Sequence, residues 1–217
     1  MDNFEYIQML SLNVRGLGDD KKRREIFRWL KRFHRGRDSI TLLQETHSTC
    51  EKETLWEQDW GSKIYFSHGT SNARGVAILM PMKYNFDVCE TWKDGEGRIL
   101  GLKIQGDSIS FNVVNTYAPT KDKATEQLRF LELLDTHFDF AEQPYIIGGD
   151  LNTYLNPVLD KEGGNIDHGS KYTDTLQHLM NEYNIIDIYR QLNPNTKHYT
   201  WRQNNPINLD NLDFITS

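Results

Sequence analysis

The sequence predicts an α/β domain whose core is formed by two β-sheets covered by helices. Three observations support this fold class. Apolar residues recur at helical spacing near both ends of the chain, short strand-like segments fill its middle, and glycine turns separate several of those segments. Sheets with an apolar face need a second layer to bury it, which the helices can supply. Because no linker or low-complexity segment is visible, we expect residues 1–217 to form one domain.

The first third of the chain is predicted to alternate between strands and helices. Strands are expected over residues 6–14, 39–44 and 63–67, and helices over 21–35 and 52–59. Residues 21–37 contain nine Lys and Arg and only one acid, Glu25. The apolar stripe of this first helix consists of Ile26, Phe27, Leu30 and Phe33. The basic segment could contact phosphates, but the stripe favours the alternative that the charges form the solvated face of a packed helix.

The remainder of the chain is predicted to contain a meander and then mixed elements. Strands are expected over 74–81, 86–91, 98–105 and 108–117, and turns at 95–97 and 106–107 make the last three an antiparallel meander. An amphipathic helix over 124–140 precedes a strand that starts at Tyr145. A loop over 154–170, a helix through Leu176 and Leu179, and strands over 185–188, 199–202 and 212–215 follow.

Composition excludes several classes of protein. The net charge of −6 argues against a generally basic nucleic-acid binder. Cys50 and Cys89 have no metal-ligand spacing, so a reducing compartment is expected. No apolar run approaches a membrane span, and the N-terminal residues lack the pattern of a signal peptide. We therefore expect no membrane association.

The segment Tyr-Ile-Ile-Gly-Gly-Asp-Leu-Asn over residues 145–152 is the most informative in the chain. An apolar strand runs into two glycines, and in extended geometry the next two polar side chains, Asp150 and Asn152, point to the same side. A carboxylate can accept a proton or orient a water, and an amide can hold that water or a substrate oxygen. The pair indicates a hydrolytic site, the alternative being a polar loop after a core strand.

Polar side chains also end other predicted strands. They are Asn13, Glu45, Asn115 and Tyr117, with Asp213 inside the last strand. Singly, each has a plain alternative: Asn13 could form a turn, Glu45 could be a surface acid, and Tyr117 could be a core ring with a wet hydroxyl. Together with the strand that leads to Asp150 and Asn152, five separate strands carry such residues, which favours one shared site.

These motifs, in this order, resemble the endonuclease/exonuclease/phosphatase superfamily, which includes DNase I-like nucleases and abasic-site endonucleases. Asn-Val-Arg-Gly-Leu at residues 13–17 and Gln-Glu-Thr-His at 44–47 are most similar to the endonuclease domain of non-LTR (LINE-type) retrotransposons. The motifs Asp-Ile-Tyr-Arg at 187–190 and Tyr-Thr-Trp at 199–201, with Pro194, resemble the same branch. The resemblance covers nearly the whole chain.

The resemblance implies a four-layer α/β/β/α sandwich of two mainly antiparallel sheets and metal-dependent hydrolysis of a DNA phosphodiester, leaving a 3′-hydroxyl that primes reverse transcription. Glu45, helped by Asn13, would hold Mg²⁺, with Mn²⁺ as a possible substitute. Asp150 would align or deprotonate the attacking water, Asn152 would fix that geometry, and Tyr117 would stabilise the phosphate in the transition state.

The resemblance also implies the partners of the chain. They are a double-stranded DNA target and, in a parent polyprotein, a reverse transcriptase domain and the element RNA. The expected location is the nucleus at the site of action and the cytoplasm before import. DNA contacts are expected from Arg15, Asn115, Thr200 and Arg202, although a strand threonine and an exposed arginine explain the last two almost as well. His47 matches no metal-ligand spacing and is expected to be structural.

The sequence departs from the family pattern at three places. Asn211 stands where the family has an Arg-like residue, and Thr120 stands where many relatives have Asn. The family domain closes with a Ser-Asp-His motif and a final core strand, and neither occurs before Ser217. The dipeptide Asp167-His168 does not replace this motif, because it lies upstream of Asp213. The missing motif leads us to expect that this chain is C-terminally truncated. In the family, Asp213 would orient the missing histidine, so we expect the chain to cut DNA poorly. The missing strand would expose the edge of its neighbour, so we also expect lower stability. An abasic-site endonuclease, another phosphodiesterase of this fold or an inactive DNA-binding remnant stay open as alternatives.

Overall fold

The structure is a computed structural model that describes residues 7–34, 39–84, 86–106, 110–137, 144–162, 170–204 and 207–210. The chain falls into two compact units, Met1–Tyr117 and Ala118–Ser217. None of the described helices has the length and apolar character that crossing a bilayer requires.

The first sheet of the first unit has four strands. They are β1 (Gln8–Asn13), β2 (Ser39–Gln44), β3 (Ile64–Ser67) and β4 (Val76–Leu79). Their order is β1-β2-β4-β3, in which β1 and β2 are parallel and the other neighbours are antiparallel. The two central strands, β2 and β4, are buried along their whole length, as expected for strands covered on both faces.

The same unit contains the predicted meander. Its strands are β5 (Phe86–Lys93), β6 (Ile99–Gly106) and β7 (Ser110–Tyr117). Both neighbouring pairs are antiparallel, and the register of β5 shifts between Val88 and Glu90. Strand β7 lies against β2 and β4, so the meander packs face to face on the first sheet.

Two helices cover the other face of the first sheet. They are α1 (Asp20–His34) and α2 (Glu53–Trp60), and a single turn of 3₁₀-helix, Cys50–Lys52, leads into α2. The ring of Phe27 makes edge contacts with Trp56 and Trp60 at centroid distances of 6.0 and 5.5 Å. These rings belong to one apolar core with side chains of β2, β3 and β4. The buried rings fix both helices on the sheet.

The prediction that Phe33 belongs to the buried stripe of α1 is wrong. Phe33 is 47% exposed, whereas Arg23 is completely buried. The guanidinium of Arg23 contacts Asp20 at 2.8 Å and Asp59 at 2.7 Å, and it lies over the ring of Trp56. Two carboxylates and a ring face thus compensate the loss of solvent around this charge.

The second unit contains three helices and four strands within the described residues. They are α3 (Ala124–His137), β8 (Tyr145–Asp150), β9 (Lys161–Glu162), α4 (Lys171–Glu182), α5 (Ile188–Leu192), β10 (Trp201–Asn204) and β11 (Ile207–Asp210). Helices α3 and α4 pack on each other. Strands β10, β11 and β9 form an antiparallel sheet in that order.

The strand expected over 185–188 is not formed. Asp187 is instead the N-cap of α5, because its side chain accepts a hydrogen bond of 3.0 Å from the backbone N–H of Arg190. The short strands β9 and β11 were not predicted. The strand expected over 212–215 lies outside the described residues.

Candidate active site

Asn13 and Glu45 meet because β1 and β2 are parallel neighbours. The register pairs Asn13 with Gln44, so both strands end at the same edge of the sheet. The amide Nδ2 of Asn13 donates a hydrogen bond of 2.8 Å to Oε1 of Glu45. The first two predicted site residues therefore lie in direct contact.

Tyr117 reaches the same carboxylate from the meander. It is the last residue of β7, and its hydroxyl donates a hydrogen bond of 2.9 Å to Oε1 of Glu45. One carboxylate oxygen thus accepts two hydrogen bonds from neutral donors. The other, Oε2, accepts none from the described residues. This arrangement fixes the orientation of the carboxylate and leaves one oxygen for a further ligand.

The loops that carry these side chains have an unusual backbone. Arg15, Glu45 and His47 have φ angles of +47°, +52° and +52°. Left-handed geometry costs a non-glycine residue about 1–2 kcal/mol. The strain is held by hydrogen bonds from Gly16 N to Glu45 O at 2.7 Å and from His47 N to Arg74 O at 3.0 Å. Backbone strain of this kind clusters at functional sites, and the functional role of Glu45 stays a prediction.

Two basic residues that the sequence did not single out support this site. Arg98 is only 6% exposed, and its guanidinium lies 5.6 Å from the ring centre of Tyr117 and donates to Tyr117 O at 3.2 Å. Lys22 Nζ donates hydrogen bonds of 2.8 Å to the carbonyl oxygens of Val14 and Arg15. The sequence signal for Arg98 is its place directly after the 95–97 turn, whereas Lys22 was hidden among the charges of α1.

The donor set at Glu45 fits a hard divalent cation. Mg²⁺ prefers oxygen ligands and keeps several of its waters. Oε2 of Glu45 could provide a carboxylate oxygen, and Oδ1 of Asn13 could provide an amide oxygen. Both residues are partly exposed, so hydrated metal could enter. The residues predicted to hold Mg²⁺ therefore have suitable chemistry, while their role stays a prediction.

Asn115, which was expected to contact DNA, lies in the interior. It is completely buried. Its Nδ2 donates to the carbonyl oxygens of Leu43 at 2.9 Å and Ala77 at 2.8 Å, and its Oδ1 accepts from Gln44 Nε2 at 2.7 Å. The side chain therefore joins β7 to two strands of the first sheet. This position corrects the expected surface role, because DNA has no access to a fully buried side chain.

Asp150 and Asn152 belong to the second unit. Asp150 ends β8, is 8% exposed, and accepts a hydrogen bond of 3.0 Å from the backbone N–H of Asn152. Asn152 has a φ of +50°, and its Nδ2 donates to Ala118 O at 2.7 Å. Asparagine tolerates left-handed geometry better than most residues, which explains its use here. The two side chains are thus positioned by a tight turn rather than by a continuing strand.

Asp150 also affects a buried phenol. The hydroxyl of Tyr172 donates a hydrogen bond of 3.0 Å to Leu151 O. Burial raises the pKa of Tyr172, and the negative charge of Asp150 raises it further. Tyr172 is therefore a neutral hydrogen-bond donor that supports the turn after β8.

The Asp-Ile-Tyr-Arg motif forms a structural clamp in the second unit. Arg190 donates to the carboxylate of Asp160 and to the carbonyl oxygens of Asn193 at 3.0 Å and Thr196 at 2.9 Å. Burial raises the pKa of Asp187, the cap of α5. These contacts hold the chain on both sides of α5.

The remaining predicted residues have less defined positions. Arg15 is exposed next to Asn13, and Thr200 is exposed before β10. The backbone of Arg202 lies in β10, and the structure does not describe its side chain. Asp213 lies outside the described residues.

The chain resembles known proteins in sequence and in fold. The model of the Endonuclease/Exonuclease/phosphatase family matches residues 10–211. The transposon TX1 uncharacterized 149 kDa protein of Xenopus laevis is 30% identical over 179 residues, which are 81% of this chain and 13% of that protein. The present chain therefore spans a small part of that relative.

Solved structures share the fold. The APE2 catalytic domain of Xenopus laevis has a TM-score of 0.73 at 19% identity, over 97% of this chain and 81% of that chain. The endonuclease domain of TRAS1, a telomere-specific non-LTR retrotransposon, has a TM-score of 0.62 at 12% identity, over 97% of this chain and 84% of that chain. The predicted α/β class with two sheets flanked by helices is confirmed. By its sequence match and its fold, the chain belongs to the endonuclease/exonuclease/phosphatase family.

Proposed function

We propose that the chain is a metal-dependent endonuclease that nicks double-stranded DNA and leaves a 3′-hydroxyl from which reverse transcription starts. The observation that carries the proposal is the carboxylate of Glu45, held through Oε1 by Asn13 and Tyr117 while Oε2 accepts no hydrogen bond from the described residues. Membership of the family supports hydrolysis of a phosphate ester. The similarity to a transposon protein supports DNA as the substrate.

Glu45 and Asn13 would hold Mg²⁺, for which Mn²⁺ could substitute. A bound divalent cation would polarise the phosphoryl oxygen and stabilise the leaving oxygen. Glu45 supplies a negative charge whose position is fixed before the metal arrives. Such preorganisation avoids a reorganisation cost during the reaction.

The other predicted residues have roles that follow from their chemistry. Tyr117 orients Glu45 through its hydroxyl, and in the transition state the single proton of that hydroxyl would turn from Glu45 to a phosphate oxygen. Asp150 would accept a proton from the attacking water, and Asn152 would fix the turn that carries Asp150. Arg15, which is exposed beside Asn13, would contact a DNA phosphate.

The biological setting of the nick is part of the proposal. A larger protein would join this chain to a reverse transcriptase domain, and the element RNA would be copied from the 3′-hydroxyl at the nick. Action on chromosomal DNA would place the protein in the nucleus after synthesis in the cytoplasm. The relative of 149 kDa supports a long parent protein.

Nicking of supercoiled plasmid tests the reaction. Wild type and Glu45→Gln are compared with the control Glu90→Gln, which changes an exposed glutamate of β5. We expect Mg²⁺-dependent nicking by wild type and by the control, and a rate lower by at least about 100-fold for Glu45→Gln. Long incubations make slow nicking measurable. Equal rates for Glu45→Gln and wild type would reject the proposed role of Glu45.

Two further measurements separate the alternatives. Electron paramagnetic resonance of Mn²⁺ reports metal binding without activity, and Glu45→Gln should weaken that binding. Labelled nucleotides added by a DNA polymerase at the nick report a 3′-hydroxyl. Cleavage restricted to abasic-site duplexes, or to lipid and inositol phosphates, would replace the proposed substrate.

A further inference from the structure

A cluster of a thiol, a carboxylate and an imidazole lies among residues that the Glu45 site does not use. Cys50, Glu53 and His68 each offer one ligand atom, and these atoms lie within 4.8 Å of one another. Cys50 begins the 3₁₀ turn before α2, and Glu53 is the first residue of α2. Residues three positions apart in a helical segment share one side, so both side chains point toward His68, which follows β3.

The imidazole of His68 is held in a fixed orientation. Its Nδ1 lies 2.9 Å from Ser48 Oγ, and its ring stacks on Phe66 with centroids 5.3 Å apart. The backbone is also tightly packed, since a Cβ added at Gly97 would lie 2.5 Å from the carbonyl carbon of His68. Histidines that bind metals usually have the other ring nitrogen held by a hydrogen-bond partner. Ser48 provides such a partner.

The second ring nitrogen faces the other two candidate ligands. Nε2 of His68 lies 2.7 Å from Oε1 of Glu53. An ion pair alone would explain this contact, but Glu53 is 44% exposed, and exposed ion pairs stabilise proteins little. The ion pair also leaves unexplained why the thiol of Cys50 adjoins both groups. A thiolate, an imidazole and a carboxylate are the three ligand types that zinc accepts.

We propose that Cys50, Glu53 and His68 bind a divalent transition metal of the Zn²⁺ class, with water in the fourth position. Zinc bonds of about 2.0–2.3 Å place tetrahedral ligands roughly 3.3–3.8 Å apart, so only small side-chain movements are needed. Thiolate and imidazole ligands select Zn²⁺ and Co²⁺ over Mg²⁺. The site is therefore chemically distinct from the oxygen ligands at Glu45.

The proposed metal would connect the start of α2 to the loop after β3. This loop contacts the segment after β2, because Nδ1 of His68 lies 2.9 Å from Ser48 Oγ. Binding of Zn²⁺ to the folded chain should raise the melting temperature by on the order of 5–10 °C at a concentration about 100 times Kd.

Titration with Co²⁺ tests the site directly. Protein purified without a polyhistidine tag should develop a thiolate-to-cobalt charge-transfer band and the intense visible bands of tetrahedral cobalt, and Zn²⁺ should displace both. The chain offers a matched control, since Cys50 and Cys89 are both exposed free thiols. Cys50→Ser should abolish the charge-transfer band, whereas Cys89→Ser should retain it.

Two more variants test the other ligands. Glu53→Gln and His68→Gln should each weaken Co²⁺ binding by at least about 10-fold. Loss of a group that only supports a metal ligand already weakens metal binding by about 10- to 100-fold, and loss of the ligand itself should cost no less. Glu45→Gln should leave the thiolate-to-cobalt band and its dependence on Co²⁺ concentration unchanged, which separates this site from the proposed nuclease site. Absence of the band in wild type, its loss in Cys89→Ser, or its persistence at full affinity in Glu53→Gln and His68→Gln would overturn the proposal.

Discussion

The hydroxyl of Tyr117 donates a hydrogen bond of 2.9 Å to Oε1 of Glu45, although 72 residues separate them in the chain. Asn13 donates to the same oxygen at 2.8 Å. Three strands thus converge on one carboxylate oxygen. The orientation of Glu45 is set by the fold rather than by its neighbours in sequence, and each donor can be removed separately.

Replacement of Tyr117 by Phe should lower the rate of Mg²⁺-dependent nicking by roughly 10- to 100-fold, because it removes a group that orients the proposed metal ligand. The free energy of unfolding should fall by only about 0.5–1.5 kcal/mol, the usual worth of one hydrogen bond. Time courses at several Mg²⁺ concentrations and urea melts provide the measurements. Tyr65→Phe, on β3 of the same unit, is the control. Wild-type rates in Tyr117→Phe would contradict the prediction.

The ends of the strands could be predicted from the sequence for a physical reason. Side chains alternate along a strand, and an apolar run that stops at a polar residue marks the point where the strand leaves the core. This logic predicts that Asn13, Glu45 and Tyr117 lie at the ends of strands, and the structure places them in contact. It could not reveal the left-handed backbone of Glu45, which depends on hydrogen bonds from a loop of another strand.

Burial of polar side chains could not be predicted, because the compensating groups are distant in sequence. Arg23 is buried beside Asp59, which lies 36 residues away. Asn115 is buried against carbonyl oxygens 72 and 38 residues away. A local pattern assigns such residues to the surface.

For α5, an alternating apolar pattern predicted a strand, but the capping hydrogen bond of Asp187 favours a helix.

Replacement of Asn115 by Ala should reduce the free energy of unfolding by about 2–4 kcal/mol, because it removes three buried hydrogen bonds: two to carbonyl oxygens and one from the side-chain amide of Gln44. Chemical denaturation monitored by tryptophan fluorescence measures the change. The control is Asn72→Ala at an exposed position, which should change stability by less than about 0.5 kcal/mol. Unchanged stability together with weaker DNA binding would restore the expected surface role of Asn115.

Replacement of Gly16 by Ala should destabilise the loop after β1. Gly16 has a φ of +80°, and an added Cβ would lie 2.8 Å from Nδ1 of His47. Left-handed geometry alone costs alanine about 1–2 kcal/mol, and the contact forces His47 to move. Gly18→Ala is the matched control, because nothing lies within 4 Å of its added Cβ. Thermal melts should show a lower melting temperature for Gly16→Ala only, and equal melting temperatures would contradict this account.

The stability of the first unit should depend on His34 below neutral pH. Burial lowers the pKa of His34, and its Nε2 lies 2.9 Å from Thr41 Oγ1. Below about pH 6.5, the usual pKa of histidine, the unfolded chain binds a proton at this position that the folded chain does not. The contribution of neutral His34 to folding is therefore complete above that pH and is lost as the pH falls toward the lowered pKa of the folded state. His34→Gln removes this titration, so its stability relative to wild type should improve between pH 7.5 and pH 5.5 in urea melts. A constant difference between His34→Gln and wild type across this range would show that His34 is not held neutral by burial.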